Sequence, residues 1–118
     1  MLSVKRIYDP ASPQDGKRCL ADRIWPRGIS KDKAHLDDWL KELAPSSELR
    51  TWFHHEPDKW EEFKRRYLEE LSSPEAAPHL AELKALAARG TVTLLFAAKD
   101  PERNNAVALR GFIESGDI

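Results

Sequence analysis

Residues 91–98 read Thr91-Val92-Thr93-Leu94-Leu95-Phe96-Ala97-Ala98, an almost unbroken apolar run. A strand with one wet face alternates apolar and polar residues, whereas a short run without alternation is the mark of a strand covered on both faces, as in parallel sheets. This stretch is therefore read as the central strand. After it, Asp100-Pro101 reads as N-cap and first helical residue, and Ala106, Leu109, Phe112 and Ile113 mark the buried side of a closing helix. Before it, Leu80, Leu83 and Ala87 give a helical period that begins near Pro74 or Pro78 and stops at Gly90. Helix, buried strand, helix is an α/β pattern.

Further out, Trp60, Phe63, Tyr67 and Leu71 make one face of a helix that opens at Pro57. Its opposite face, Glu61, Glu62, Lys64, Arg65, Arg66, Glu69 and Glu70, is left to water. Leu49, Trp52 and Phe53 predict a shorter helix ending near His54 and His55. Ser30 as N-cap and the stripe Leu36, Trp39, Leu40, Leu43 predict an amphipathic helix that Pro45 ends. Two earlier strands are read at Val4–Tyr8 and Arg18–Trp25, the second closed by Pro26-Arg27-Gly28. The loop between them, rich in Pro, Ser and Asp-Gly, is short for a parallel crossover, which normally takes a dozen or more residues, so their relative direction stays open. The expected fold is a single α/β domain over residues 1–118, a short and mostly parallel sheet flanked by helices.

The 118 residues suit one domain, and 41% hydrophobic with 33% charged residues marks a globular chain. Its start mixes Lys5 and Arg6 into the apolar residues too early for a signal peptide, and no apolar run approaches the roughly 18 residues of a membrane span. One Cys excludes an intrachain disulfide and a Cys-based zinc cluster, and the cytoplasm is the expected compartment. The net charge of −1 hides an asymmetry: residues 1–33 hold eight cations against four anions. That excess favours anions locally, but the balance over the whole chain argues against coating duplex DNA, and nucleic acid ranks as the third class of partner.

In open α/β sheets, ligands sit beyond the carboxyl ends of the strands. Two loops qualify, Asp22-Arg23-Ile24-Trp25-Pro26-Arg27-Gly28 and Lys99-Asp100-Pro101-Glu102-Arg103-Asn104-Asn105. If their strands are parallel neighbours, Arg23, Arg27, Lys99 and Arg103 surround one anion, with Asp22 or Asp100 orienting a guanidinium or taking a proton. Trp25 offers a flat flank and Asn104 a hydrogen-bond donor. The structural reading of the same residues is that the carboxylates staple their loops or cap the last helix, and that Trp25 wedges into the core. His54 and His55 are adjacent and cannot jointly ligate a metal on a helix, and Cys19 on a strand reads as a small core residue. No metal and no cofactor is expected.

The segments Val4–Asp9, Asp22-Arg23-Ile24-Trp25-Pro26-Arg27-Gly28-Ile29-Ser30-Lys31, Trp39–Ser46 and Leu94–Asn105 together resemble the YeaO-like family of small bacterial proteins, over nearly the whole length. The resemblance implies a domain of unknown function with no established reaction, cofactor or catalytic residue. Labels such as methyltransferase or transcriptional regulator in that family find no glycine-rich cofactor loop and no helix-turn-helix here. Longer relatives carry Asp-Val-Arg where this chain has Ala21-Asp22-Arg23, and a Cys-His-Arg triplet near the place of Asn104-Asn105-Ala106. Asp22 and Arg23 match; thiol or imidazole chemistry from the triplet does not transfer.

The function expected from these residues is binding of a small anionic ligand, a nucleotide or phosphorylated metabolite, with or without turnover. The alternative is a non-catalytic interaction or regulatory module whose Glu-rich helices meet a protein partner. Oligomeric state is not written in the sequence.

Overall fold

The computed structural model describes residues 1–118. Four parallel strands, β1 (Leu2–Arg6), β2 (Lys17–Leu20), β3 (Asp38–Trp39) and β4 (Val92–Phe96), form one sheet in the order β1-β4-β2-β3. The helices are α1 (Lys31–Ala34), α2 (Ser47–Phe53), α3 (Trp60–Leu71), α4 (Ala77–Arg89) and α5 (Asn105–Ser115). Every residue of β4 is buried, and the strand lies between β1 and β2, as its apolar run predicts.

Alternation along β4 divides the interior. Val92, Leu94 and Phe96 join the large core with Cys19, Ala21 and the apolar sides of α2 to α5, while Leu95 faces the other way with Ile7, Leu20 and Ala34. One face of the sheet therefore carries four helices. The other is covered by loops and the single turn α1, against which Trp25, Ile29, Leu36 and Trp39 pack.

The first two strands run parallel, because each pairs in parallel with β4 between them. Residues 7–16 make this short crossover by turning tightly over β4. Thr93 Oγ1 donates to the Asp15 carbonyl at 2.7 Å, and Lys17 N–H donates to the Thr91 carbonyl at 3.0 Å. Asp15 accepts from Lys5 and Arg18, and Arg18 also donates to the Ala34 carbonyl, so a buried ion cluster pins the crossover to the sheet.

The helix expected from Ser30 to Pro45 is not there. Ser30 caps only α1, His35 takes a left-handed φ of 49°, and the chain then pairs with β2. Asp37 explains the break: its carboxylate accepts the Arg18 N–H at 2.8 Å and its own N–H donates to the Arg18 carbonyl at 2.8 Å. Sheet partners thus satisfy the backbone where a helix would have continued. The apolar stripe is real but serves two layers, Leu36 and Trp39 packing on the loop side and Leu40 and Leu43 on the helix side.

Other boundaries also shift, and β4 covers Val92–Phe96 within the 91–98 run. β1 spans Leu2–Arg6 rather than Val4–Tyr8, and β2 stops at Leu20, leaving 21–29 as loop. The last helix is capped by Asn104, whose Oδ1 accepts the Val107 N–H at 2.9 Å, and not by Asp100. Asp100 instead closes a preceding turn through the N–H groups of Glu102 and Arg103.

Candidate functional site

Parallel strands all end on the same side, so the segments that follow β2 and β4 emerge next to each other. Between them lies a cleft of about 770 Å³, lined by both strand-end loops and closed from the third side by Pro45, Arg50, Phe53, His55 and Phe63. Tyr8, just past β1, reaches its rim.

Asp22 joins the two loops. One carboxylate oxygen accepts the Ala97 N–H at 2.9 Å and the other accepts Asn105 Nδ2 at 3.0 Å, and the same Nδ2 donates to the Ala21 carbonyl at 2.8 Å. Burial raises the Asp22 pKa above the ordinary carboxylate value, opposed by Asn105, the Ala97 N–H and the nearby His55 and Arg50. Asp100 is set the other way. The Glu102 N–H and then the Arg103 N–H and guanidinium stabilise its charge against slight desolvation, and its pKa is lowered.

The six other residues singled out from sequence divide into three kinds. Arg27 and Lys99 are exposed on the cleft wall and form no ion pair with any carboxylate. Arg23, Trp25 and Asn104 line the cleft with their polar atoms already engaged. The Arg23 guanidinium donates to the carbonyls of Pro45 (2.9 Å) and Ala44 (3.2 Å), Trp25 Nε1 to that of Ile29 (2.7 Å), and Asn104 Nδ2 to that of Asp100 (2.9 Å). Trp25 also meets Trp39 edge-on at 5.4 Å. Arg103 does not line the cleft; its guanidinium turns back to Asp100 at 3.7 Å.

Arg50 and His55 are cleft residues that the sequence reading does not select. Arg50 lies on the polar side of the Leu49–Phe53 stripe, where a solvated face is the default reading. His55 has a left-handed φ of 56°, which releases it from α2 and turns it toward Phe53, its ring centroid 6.0 Å from that of the phenylalanine. Only the tertiary approach of α2 to the sheet end brings them in. Cys19 takes no part: it is buried in the core, and burial, reinforced by Asp38 and Asp37, pushes its thiol up to about 11.

The sequence profile of DUF488-N3i, described as the inactive DUF488-N3 subclade, matches residues 1–116. The chain belongs to this family. Among relatives of this DUF488-N3i member, the uncharacterized protein YeaO of Escherichia coli K12 is 42% identical over 114 residues, 97% of each chain. The uncharacterized protein Rv3073c of Mycobacterium tuberculosis H37Rv is 46% identical over 108 residues, 92% of this chain and 89% of the relative. The uncharacterized protein Mb3100c of Mycobacterium bovis matches over the same shares with the same identity. No solved structure matches the chain. Of the Asp22-Arg23-Ile24-Trp25-Pro26-Arg27-Gly28 segment that carries the family resemblance, Asp22 to Arg27 form one wall of the cleft.

Proposed function

We propose that this DUF488-N3i member binds a small anionic ligand, a nucleotide or phosphorylated metabolite, in the cleft between residues 22–28 and 97–105. The observation that carries the reading is charge without partners: Arg27, Arg50 and Lys99 converge on one hollow and pair with no carboxylate. The apolar side of the hollow, Phe53, Phe63, Pro45 and Ile24, suits the carbon skeleton of such a ligand.

Binding is favoured over turnover. Both carboxylates have structural work: the Asp22 oxygens tie the two loops together, one accepting the Ala97 N–H and the other Asn105 Nδ2, and one Asp100 oxygen accepts the N–H groups of its own turn. The description of the subclade as inactive agrees with this assignment. Calorimetric titration with inorganic phosphate and with AMP tests it. Arg27→Ala and Lys99→Ala should each weaken binding about tenfold, the loss of one charge-assisted hydrogen bond. Absence of binding in the native protein, or unchanged affinity in both variants, refutes the proposal.

The interaction-module reading retains one observation, the exposure of Tyr8 (41%) and Ile24 (54%) at the mouth of the cleft. No helix is long and apolar enough to cross a membrane.

A further inference from the structure

Arg6 stands outside the cleft and yet governs its wall. Its Nε donates to the Ala98 carbonyl at 2.9 Å and its Nη2 to the Ala97 carbonyl at 3.1 Å. In an extended strand successive carbonyls point to opposite sides, so one guanidinium gripping two in a row fixes a departure from the strand just after Phe96. The chain has no cis peptide. In a planar trans peptide the C=O of one residue and the N–H of the next point in opposite directions. The Ala98 and Lys99 N–H groups therefore both point away from Arg6, on the side where Ala97, Ala98 and Lys99 line the cleft. Neither donates to an acceptor in the protein, whereas the preceding N–H, that of Ala97, is taken by Asp22. Two consecutive main-chain donors facing one hollow form an anion-binding concavity, and Lys99 adds its ammonium group beside them.

We propose that these two N–H groups hold the oxygens of a phosphate, free or as a terminal monoester, and that Arg6 is the positioning residue that aims them. The inference rests on the anion-binding reading of the cleft and gives it a specific seat. It also accounts for the placement of a strongly hydrogen-bonding side chain on the far side of the loop. The guanidinium lies 4.9 Å from the centre of the Tyr8 ring, which packs it against the carbonyls it holds.

Amide chemical shifts of the uniformly labelled native protein, titrated with inorganic phosphate and in parallel with AMP, provide the test. The expected result is that the Ala98 and Lys99 amides move downfield on saturation with either probe. Additional shifts at Ile24 and His55 with AMP alone mark a monoester seat; the same set of shifts with both marks a seat for phosphate itself. Arg6→Gln, which cannot grip both carbonyls in this way, should weaken phosphate binding by about tenfold. Arg6→Lys should fail to restore it, since an ammonium lacks the planar fork. A cleft that binds phosphate with shifts at Arg27 and Arg50 but not at Ala98 or Lys99 overturns this inference and leaves the anion-binding proposal standing. No binding of either probe overturns both. If Arg6→Gln does not fold, the native titration still decides.

Discussion

Gly16 is the position where a single methyl group should do most damage. It has φ 63° and ψ −133°, a conformation open to glycine and strained for any residue with a Cβ. An added Cβ would lie 2.1 Å from the Thr91 carbonyl oxygen and 2.9 Å from its carbon, whereas ordinary contact begins at 3.4 Å. Backbone has to move by more than an ångström, and the next residue, Lys17, donates to that same Thr91 carbonyl at 3.0 Å at the start of the β2–β4 pairing. Strain in such a region costs about 1–3 kcal/mol. A lost hydrogen bond adds about 1 kcal/mol. Gly16→Ala should therefore destabilise by about 2–4 kcal/mol, a large part of the ~5–15 kcal/mol typical of a domain. The midpoint of thermal unfolding should fall by roughly 8–20 °C. Urea denaturation followed by the fluorescence of the four tryptophans measures it. Gly28→Ala is the control, with φ 80° but no atom within 4 Å of the added Cβ, so only conformational strain of about 1 kcal/mol applies. A Gly16→Ala protein within about 1 kcal/mol of the native one, or no worse than Gly28→Ala, refutes the close approach described for the crossover.

Gly111→Ala should do the opposite and stabilise by about 1 kcal/mol, since Gly111 is exposed inside α5 with open space at its Cβ; calorimetry of thermal unfolding checks it. Asp15→Asn should cost about 3 kcal/mol, because Arg18 and Lys5 lose the charge they face. Burial raises the Asp15 pKa, but the Ser12 N–H, Lys5 and Arg18 together outweigh it and lower the value. Its contribution is thus complete above the ordinary carboxylate pKa and is lost as pH falls through the lower folded value. Urea midpoints between pH 2 and 6 should show a flatter acid limb in Asp15→Asn than in the native protein. Asp22→Asn should cost about 1–3 kcal/mol, because an amide sets a donor against either the Ala97 N–H or Asn105 Nδ2. With its pKa raised, native Asp22 favours folding most below the ordinary carboxylate value and less as pH rises through the folded one. The native-minus-variant stability difference should therefore shrink with rising pH, and a difference that grows would contradict the burial assigned to it.

How much of this was legible in the sequence depends on how far each signal reaches. The β4 run and the amphipathic period of α3 are local, and they place the central strand and that helix correctly. Periodicity failed at 30–45 because Leu36, Trp39, Leu40 and Leu43 satisfy a helical spacing while serving two faces of a sheet edge. What decides between the two is Asp37, and its partner Arg18 is nineteen residues away. The same limit governs the site. Arg27 and Lys99 could be picked out because strand-end loops in α/β sheets are where ligands bind. Arg23 and Trp25 could be named but not interpreted, since the carbonyls that engage them are set by tertiary packing and not by neighbouring residues.

The end of β1 shows why the cleft belongs to the sheet as a whole and not only to its two loops. Arg6 holds the carbonyls after β4, and two residues on, Tyr8 donates its hydroxyl to the Arg27 carbonyl at 2.8 Å in the loop after β2. The Arg6 guanidinium lies against the Tyr8 ring, so the support for one wall also supports the other. Asp22 closes the circuit from within, linking the same two loops through Ala97 and Asn105. Rigid support on both sides would lower the ordering cost of the anion proposed for the cleft, so that a few donors would suffice to hold it. It follows that Tyr8→Phe, which removes the bond to Arg27 and keeps the ring on Arg6, should loosen the 22–28 loop alone. Tyr8→Ala should loosen both loops. Hydrogen exchange at residues 22–28 and 97–99 separates these outcomes, and equal protection in the two variants would show that the walls are held independently.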